Sequence, residues 1–555
     1  MGQTMKYRVQ QFKKTQHGKI YHYSWIGYSY RTAKGTPTFK RVASLAGLPP
    51  EAVKAISNSL SSNGESSDTN LKVEFLSAIP LGAEAVAHHF ADELGILDAL
   101  ACLPERDRKV VLALILDRVV EAFPHSRKSL FENLPGSGLS RVCGLDDEDI
   151  KLEQMYYALD HLFPCQDTIE HYLFKRNHPN QSRMFLYDIT SSYFEGNACP
   201  LEAFGYNRDH KQGKKQIVIG MLTDQAGCPV SVEVFEGNTS DQSTVMDRID
   251  SMRKKFGIEE MVFIGDRGML TRARRNDLTA REYEKIKYIT ALSRDEFTRF
   301  VEDDDHPLQL SLFDRTRLVQ VSHDGINYVL SYNPELEERN CADRDRMLEK
   351  TEAVLKGIET SVQKGRLRQE KLIAKRLFSK FDKWKCARFF DVDYGEGRFS
   401  YRRKDELIES YRAMDGFYVF TTDILDISAE QTRDEYRGLQ QVEQTFRTMK
   451  TTDIFMRPIR LWNPERVKAH IFVCMLAYMI IWKARHKLAE FTEPQGDLRV
   501  SLQTAWSKLG ELQIGKIKLG DEVHEQLSQP EAQCRQLLKL AGLSASAISK
   551  SFLRG

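Results

Sequence analysis

The feature that most constrains this 555-residue chain is an alternation of apolar strands and helices between Met184 and Leu292. Runs rich in β-branched and aromatic residues predict three consecutive strands, MFLYDITSSYF, KQIVIGMLTD and CPVSVEVFEG. The segment Gln225–Gly227 predicts a hairpin turn between the last two. A helix from Asp241 to Phe256, the strand MVFIG, a helix from Arg272 to Glu284 and the strand KYITAL follow. The pattern predicts one sheet covered by helices.

Three strands, a helix, a strand, a helix and a strand is the element order of the ribonuclease-H-like fold, an α/β architecture with a mixed sheet flanked by helices. We expect residues 181–295 to form the first part of this core. The regular pattern then stops, and residues 296–415 are expected to form an insertion subdomain before the last core helix. The core resumes at FYVFTTD, and residues 416–485 are expected to form its second part, with a helix that begins at a capping box of Ser428 and Gln431.

Four further regions flank the core. Residues 1–55 predict a basic β-rich module, because residues 1–50 hold nine of the 80 Lys and Arg residues and none of the 78 Asp and Glu residues. Clustered cations suit a nucleic acid, although a solubilising tail has the same composition. Residues 56–70 predict a polar linker, and residues 71–180 a helical domain, with one helix ending and another beginning at Pro164. Residues 486–555 predict a C-terminal helical region.

The helical domain has two interpretations. Short helices joined by tight turns are typical of helix-turn-helix DNA readers and equally of small helical bundles. A second basic stretch, Lys364–Lys385, predicts either a DNA-facing surface or a solvated helix. Which region reads DNA is left open by the sequence.

The composition argues against several other classes of protein. Nine scattered cysteines without a C-x-x-C pair predict reduced, mostly buried thiols rather than a zinc site or a disulfide scaffold. The longest apolar stretch, Ala469–Trp482, is shorter than a membrane span and predicts a buried helix. The N-terminal sequence has no apolar signal core, so we expect a cytoplasmic protein that associates with the nucleoid when bound to DNA.

Three acidic residues are the candidate catalytic groups. Asp188 interrupts an apolar strand, and a buried carboxylate is normally paired, protonated or bound to a metal. Asp266 directly follows MVFIG, at the strand end where ligands bind in open α/β sheets. Glu443 lies on the helix DEYRGLQQVEQTFRTMK, in one stripe with Tyr436, Leu439, Phe446 and Lys450.

Each acid alone has an ordinary explanation. An Asp at a strand end is most often a cap or turn residue, and Glu443 with Arg447 is a common pair on an amphipathic helix. Together, three acids from separate elements suit Mg²⁺, a hard ion that prefers carboxylate oxygens. A pair of such ions can stabilise both the attacking and the leaving oxygen of a phosphodiester.

Four segments carry a resemblance to a known family. They are YDITSSYFEG, VEVFEGNTSDQSTV, FIGDRGML and YRGLQQVEQTFRTMK, and similarity continues through RPIRLWNPERVKAHIFVCMLAYMI. Over roughly residues 184–482 the chain resembles the DDE transposases of bacterial insertion sequences. It resembles in particular the insertion-sequence-four superfamily, with its tyrosine–arginine–glutamate–lysine signature, and within it the branch typified by insertion sequence 1634.

The resemblance implies roles for individual residues. Asp188, Asp266 and Glu443 would hold two Mg²⁺ ions, which Mn²⁺ could replace; Asp188 would contact both ions and the other two acids one each. Tyr436 and Lys450 match the signature tyrosine and lysine and would position DNA phosphates. The signature arginine falls on Leu439, so Arg447 is the expected substitute, because Arg437 points elsewhere on a continuous helix. Arg267 is a further candidate DNA contact.

The resemblance also implies the reaction and the partners. Water would cut a phosphodiester at each element end to free a 3′-OH, and that 3′-OH would attack target DNA. Double-stranded DNA, as terminal inverted repeats and as target, is the expected partner, and a homodimer on DNA is implied. A mostly β insertion is expected between Asp266 and Glu443. Three alternatives remain: a ribonuclease-H-like nuclease that cuts without joining, a non-catalytic DNA-binding derivative, and a carboxylate-pair hydrolase acting on sugars.

Overall fold

A computed structural model describes most of the chain. The described residues are 7–16, 19–31, 37–45, 50–61, 73–145, 150–178, 184–196, 198–206, 208, 211–278, 283–302, 318–381, 386–452, 454–492, 500–519 and 522–553.

The N-terminal module is a three-stranded antiparallel sheet with one helix. Its elements are β1 (Tyr7–Gln16), β2 (Lys19–Arg31), β3 (Pro37–Ser44) and α1 (Pro50–Ser61). The predicted β-rich module is therefore present. Helix α1 extends into the predicted linker because Ile56 is fully buried against this sheet. The rest of that linker, residues 62–70, lies outside the described residues.

The second unit is helical after one strand. It comprises β4 (Val73–Pro80), α2 (Gly82–Glu93), α3 (Ile96–Ala99), α4 (Glu105–Val120), α5 (Arg127–Asn133), α6 (Gly138–Val142) and α7 (Gln154–Asn177). The predicted break at Pro164 is wrong, since α7 runs through it without interruption. Proline removes one backbone donor, but Leu159, Leu162, Ile169 and Leu173 on both sides bury into the same core. Packing outweighs the lost hydrogen bond.

The core follows in the predicted order. Its first part comprises β5 (Met184–Tyr193), β6 (Gln216–Asp224), β7 (Pro229–Glu236), α8 (Asp241–Phe256), β8 (Met261–Gly265), α9 (Arg272–Leu278), β9 (Ile286–Ala291) and α10 (Arg294–Glu302). Next come β10 (Val319–His323), β11 (Ile326–Tyr332), α11 (Pro334–Gln363), α12 (Glu370–Phe381), β12 (Phe390–Gly395), β13 (Arg398–Arg403), α13 (Asp405–Ala413) and β14 (Phe417–Thr422).

One sheet of eight strands organises the core, in the order β10-β11-β14-β9-β8-β5-β6-β7. Strands β5, β8 and β9 are parallel, whereas β6 and β7 are antiparallel additions on one side and β14 and β11 on the other. This mixed sheet with helices fits a ribonuclease-H-like core. The apolar strand that contains Asp188, β5, lies between β8 and β6.

The region between β9 and β14 differs in composition from the expected mostly β insertion. Strands β10 and β11 belong to the core sheet, because β11 pairs along β14. Among the described residues, the part that leaves this sheet contains helices α11, α12 and α13 and the hairpin β12–β13. Its core is formed by Leu348, Leu355, Ile358, Ile373 and Phe390. The basic stretch beginning at Lys364 lies largely on α12, and its residues 382–385 are outside the described chain.

The last part of the chain returns to both the core and the helical unit. Its elements are α14 (Ala429–Arg437), α15 (Leu439–Arg447), α16 (Pro464–Lys487), α17 (Ala489–Thr492), α18 (Leu502–Leu509), β15 (Gln513–Leu519), β16 (Glu522–Leu527), α19 (Ala532–Leu540) and α20 (Ala545–Phe552). The predicted capping box of Ser428 and Gln431 is present at the start of α14. Strand β15 pairs antiparallel with β4, with Gln513 opposite Pro80, so the two ends of the helical unit close on each other.

Helix α16 is the central packing element. By length and composition it could cross a membrane, but 83% of its most apolar window is buried inside the protein. It packs against α2, α4, α7 and β7. The expected buried helix is therefore present, and it joins the helical unit to the core sheet.

Candidate active site

The register of two parallel strands brings the two aspartates together. Strand β5 pairs with β8 so that Tyr187 lies opposite Gly265. Asp188 and Asp266 are the next residues on each strand, so both carboxylates leave the sheet at neighbouring positions. Asp188 is half-buried and accepts a hydrogen bond from the backbone N–H of Ile189 at 2.8 Å. Asp266 is exposed at the end of β8.

The third acid comes from a helix packed on β5. Val442 and Phe446 of α15 are buried beneath the helix, and this places Glu443 on its exposed side. Asp188, Asp266 and Glu443 line one cavity of about 330 Å³. The other lining residues are Ser331, Asn333, Leu336, Tyr418, Phe420, Tyr436, Arg437, Leu439 and Gln440.

The electrostatics of the cavity are dominated by its carboxylates. Burial, together with the charges of Glu443 and Asp266, raises the pKa of Asp188 to about 7, although the Ile189 N–H and the Arg208 guanidinium oppose the shift. Mutual influence of this kind requires the three acids to be near neighbours. A divalent cation would remove their repulsion.

The donor set fits such a cation, because hard divalent ions prefer carboxylate oxygens beside water. In the conformation seen, no three His, Cys, Asp or Glu side chains of the described residues are close enough to enclose an ion. Joint coordination therefore needs side-chain rotation of residues such as Asp266 and Glu443, both of which are exposed.

Tyr436 lies beneath this cavity rather than at its mouth. Its side chain is 8% exposed, and its hydroxyl donates to Oδ1 of Asp266 at 3.2 Å and lies 3.4 Å from the hydroxyl of Tyr418. Burial, Tyr418 and Asp266 together raise the pKa of Tyr436, so the phenol stays protonated and remains a donor. Its visible contact is with Asp266, one of the three candidate acids, and its expected phosphate contact stays a prediction.

Lys450 is also buried close to the acids. It lies in a π-helical turn, Thr448–Thr452, that follows α15, and its side chain is 8% exposed. Its Nζ donates to Oγ1 of Thr190 at 2.6 Å. Thr190 is two residues beyond Asp188, on the same face of β5. The lysine thus connects the turn that follows α15 to β5, the strand that contains Asp188.

The arginines are arranged differently from the expectation. Helix α14 ends at Arg437 and α15 begins at Leu439, so the signature segment is not one continuous helix. Arg437 lines the cavity, and the expectation that it points elsewhere is wrong because that argument assumed an unbroken helical phase. Arg447 is exposed and is not among the cavity-lining residues. Arg267 lines an adjacent cavity of about 640 Å³ between the core and the insertion.

A close approach explains the break. A Cβ at Gly438 would lie 2.8 Å from Cδ2 of Leu186 and 2.9 Å from the backbone oxygen of Glu435. Glycine therefore lets the junction between α14 and α15 rest directly on β5. Leu439 is buried beside it and lines the cavity with an apolar surface.

Sequence reasoning did not identify Arg437, Gln440, Tyr418 or Arg208 as site residues. The available signal for Arg437 is Gly438, which follows it inside a helical pattern and is a common helix interrupter. Tyr418 lies in the predicted strand FYVFTTD and had no distinguishing signal. Arg208 lies in the basic segment NRDHK after β5.

Comparison with known proteins identifies the domain. Residues 180–480 match the family model described as "Transposase DDE domain". No curated protein matches the chain in sequence. Among solved structures, a piggyBac transposase synaptic complex with hairpin DNA is similar at 9% identity, 86% coverage of both chains and a TM-score of 0.36. A Mos1 transposase paired-end complex with the left transposon end matches at 13% identity, covering 44% of this chain and 68% of that one, with a TM-score of 0.14.

Proposed function

The chain belongs to the transposase DDE domain family, and we propose that it cuts DNA at the ends of a mobile element and joins them to new DNA with Asp188, Asp266 and Glu443 as the catalytic residues. As a DDE transposase it is a polynucleotidyl transferase. The observation that supports the assignment of these three residues is that acids from β5, β8 and α15 line one cavity and influence one another's charge. No other acidic residue lines that cavity among the described residues.

The proposed reaction is two successive phosphoryl transfers. In the first, the oxygen of water bonds to the phosphorus at the element end, the bond from phosphorus to the 3′ oxygen breaks, and the 3′ oxygen takes a proton. In the second, the 3′ oxygen of the element end bonds to the phosphorus of a target phosphodiester and loses its proton. The bond from that phosphorus to the target's own 3′ oxygen breaks, and the leaving 3′ oxygen takes a proton. Charge develops on oxygens throughout, so stabilising that charge and positioning the phosphate are the main tasks of the site.

The residues divide these tasks. Asp188, Asp266 and Glu443 would hold two divalent cations, and we propose Mg²⁺, with Mn²⁺ as a substitute. Bound cations would neutralise phosphoryl charge and lower the pKa of the attacking water. Tyr436 holds the carboxylate of Asp266 through its hydroxyl. Arg437 contributes a cation at the cavity wall, where a phosphate is expected.

Finer assignments follow the motifs. We propose membership of the insertion-sequence-four superfamily, in the branch typified by insertion sequence 1634, on the segment YRGLQQVEQTFRTMK with its glutamate and lysine. We further propose that double-stranded terminal inverted repeats and target DNA are the partners, that a homodimer holds two ends, and that the protein works in the cytoplasm. Arg447, Lys450 and Arg267 remain proposed DNA contacts.

The test uses the full chain and a plasmid that carries its coding region with both native flanks. With MgCl₂ we expect cleavage at two sites and joining to a second plasmid, and with EDTA neither. Asp188→Asn and Glu443→Gln should each lower cleavage at least about a thousandfold while plasmid binding and melting temperature persist. Asp434→Asn, an exposed acid on α14 paired with Arg433, should retain activity.

Cleavage without joining would replace the proposal with a nuclease. Undiminished cleavage by Asp188→Asn would show that the catalytic residues are elsewhere. Cleavage that persists in EDTA would remove the role of divalent cations.

A further inference from the structure

A loop between β5 and β6 presents two aromatic rings to solvent. Phe204 is 66% exposed and Tyr206 is 79% exposed. Removing a large ring from water lowers the free energy, so two neighbouring rings left exposed on one loop require an explanation. Isolated exposed rings are common, but these two belong to a backbone that is firmly held.

Buried polar contacts fix this loop on the sheet. Gln216, 2% exposed, donates through Nε2 to the backbone oxygens of Tyr206 and Gly237, each at 3.0 Å. Gly205 lies so close to Gly237 that a Cβ there would be 2.0 Å from its backbone oxygen. The backbone is therefore rigid in this fold, and the exposure of both rings is imposed by it.

A second anchor lies at the start of the same loop. The carboxylate of Glu202, 8% exposed, pairs with Nζ of Lys215 at 3.3 Å. Gly237 donates its N–H to the backbone oxygen of Leu201 at 3.1 Å. The loop is held at both ends against β6 and the end of β7.

Positively charged side chains lie beside aromatic rings in this region. The guanidinium of Arg208 lies over the ring of Tyr206 at 5.4 Å. Lys211 and Arg457 approach the ring of Tyr193, the last residue of β5, at 5.8 and 5.7 Å. Aromatic rings beside cations are the combination by which proteins bind single-stranded nucleic acid, with bases stacked on rings and phosphates near cations.

The loop is connected to the catalytic strand. The backbone N–H of Arg208 donates to Oγ of Ser191 at 3.2 Å, and the charge of Arg208 lowers the pKa of Asp188 against the effect of burial. At about 3.3 Å per residue, Asp188 and Tyr193 are roughly 16 Å apart along β5.

From these contacts we infer that Phe204, Tyr206 and Arg208 form a stacking platform for an unpaired base of the DNA strand close to the phosphate at Asp188. The rings stack on the base, and Arg208 binds the adjoining phosphate. The inference rests on the proposed function in one respect, namely that DNA reaches the cavity of the three acids. It adds a preference for single-stranded nucleotides at a defined place.

The experiment measures fluorescence anisotropy with the full chain in EDTA, so that nothing is cut. The probes are a fluorescein-labelled blunt duplex of 20 base pairs and the same duplex with a 3′ overhang of five thymidines. We expect the wild-type chain to bind the overhang duplex more tightly. Phe204→Ala and Tyr206→Ala should each weaken binding of the overhang probe roughly five- to a hundredfold and leave blunt binding unchanged.

Three further variants separate stacking from charge. Tyr206→Phe keeps the ring and should bind like wild type. Arg208→Ala should reduce the slope of log affinity against log salt by about one, whereas the ring variants keep the slope. Tyr172→Ala removes a ring that is 37% exposed on α7, and it should change neither probe.

Two outcomes overturn the inference: equal binding of both probes by the wild-type chain, or wild-type affinity of Phe204→Ala and Tyr206→Ala for the overhang. Equal losses on both probes would also contradict it, because the rings would then act on duplex DNA or on the fold. Failure of the proposed function is seen separately, as absence of plasmid cleavage with MgCl₂ by a chain whose overhang binding still depends on the rings.

Discussion

The hydroxyl of Tyr436 donates to Oδ1 of Asp266 at 3.2 Å, across 170 residues of sequence. Tyr436 belongs to α14, and Asp266 ends β8, so this bond joins the returning helix to the catalytic sheet edge. Because the phenol is buried and protonated, it orients one oxygen of the carboxylate and leaves the other for the cavity.

Tyr436→Phe should lower DNA cleavage about ten- to a hundredfold and raise the Mg²⁺ concentration needed for half-maximal activity, since hydrogen-bond partners of metal ligands have effects of about this size. Titration of cleavage against MgCl₂ measures both. Tyr283→Phe is the matched control, because Tyr283 donates to Asp250 at 3.0 Å and neither residue lines the cavity of the three acids. Identical curves for the two variants would contradict a positioning role for Tyr436.

The Lys450–Thr190 bond makes a prediction about stability. Thr190→Val removes the acceptor that lies 2.6 Å from a buried ammonium group, so we expect a loss of roughly 1–3 kcal/mol in unfolding free energy. Thr190→Ser keeps the hydroxyl and should lose less. Thermal melting measures the difference. If Lys450 instead serves mainly as a phosphate contact, Thr190→Val will melt like wild type while Lys450→Met weakens DNA binding.

Glycine-to-alanine substitution should have opposite effects at Gly438, between α14 and α15, and at Gly357, inside α11. Gly438→Ala places a methyl group 2.8 Å from Leu186, which should push α15 away from β5 and reduce cleavage more than tenfold. Gly357→Ala on α11 meets no atom within 4 Å and should stabilise the chain by about 0.5–1 kcal/mol. Cleavage assays and melting curves of both variants test this. Full activity of Gly438→Ala would mean that the contact is easily relieved.

The cavity wall predicts that Arg437 matters more than Arg447. Arg437→Ala should reduce cleavage about ten- to a thousandfold, because removing a cation near a developing phosphoryl charge costs on the order of 1.5–4 kcal/mol. Arg447→Ala should have a smaller effect on cleavage, since Arg447 does not line the cavity. Single-turnover cleavage rates decide between them. The reverse order would restore Arg447 as the substitute for the signature arginine.

Glu84 in α2 predicts a pH-dependent stability. Burial, with a smaller contribution from the charge of Glu121, raises its pKa from 4.5 to about 7, and one carboxylate oxygen has no hydrogen-bond partner among the described residues. A carboxyl whose folded pKa is raised contributes stability that is complete below about pH 4.5 and is lost as the pH rises through 7. Glu84→Gln should therefore be more stable than wild type at pH 8, by up to about 3 kcal/mol, and equal to it near pH 4.5.

Melting temperatures of Glu84→Gln and wild type across pH 4.5–8 measure that crossover. Glu105→Gln is the control, because Glu105 is an exposed acid that pairs with Lys109 on the helix surface. A pH-independent difference for Glu84→Gln would show that its carboxyl does not titrate in this range.

Strands β5 to β9 of the core sheet could be predicted because each is encoded by a short continuous run of residues. Strands β5 to β9 are apolar runs separated by turn residues, and parallel strands necessarily place Asp188 and Asp266 at one edge. The helix that carries Glu443 has an apolar stripe, which predicts the face that packs and therefore the side on which the acid lies. These features follow from periodicity and strand geometry.

Other features depend on partners that are distant in sequence. The break between α14 and α15 at Gly438 arises from close contact with Leu186. A helical pattern of apolar residues cannot predict a contact with a strand so distant in sequence. Helix α7 continues through Pro164 because buried residues on both sides share a core with α16. Strands β10 and β11 were placed in the insertion, and only their pairing with β14 shows that they extend the core sheet.

The pairing of β4 with β15 constrains how the protein is made. The strand at Val73–Pro80 leaves the ribosome before α16 and before its partner strand at Gln513–Leu519. Until α16 and β15 have been synthesised, the apolar surface of the nascent helical unit stays open. Folding of this unit is therefore completed only after Leu519 has been added, and copies of the gene that terminate before that codon should yield products that proteases and chaperones remove.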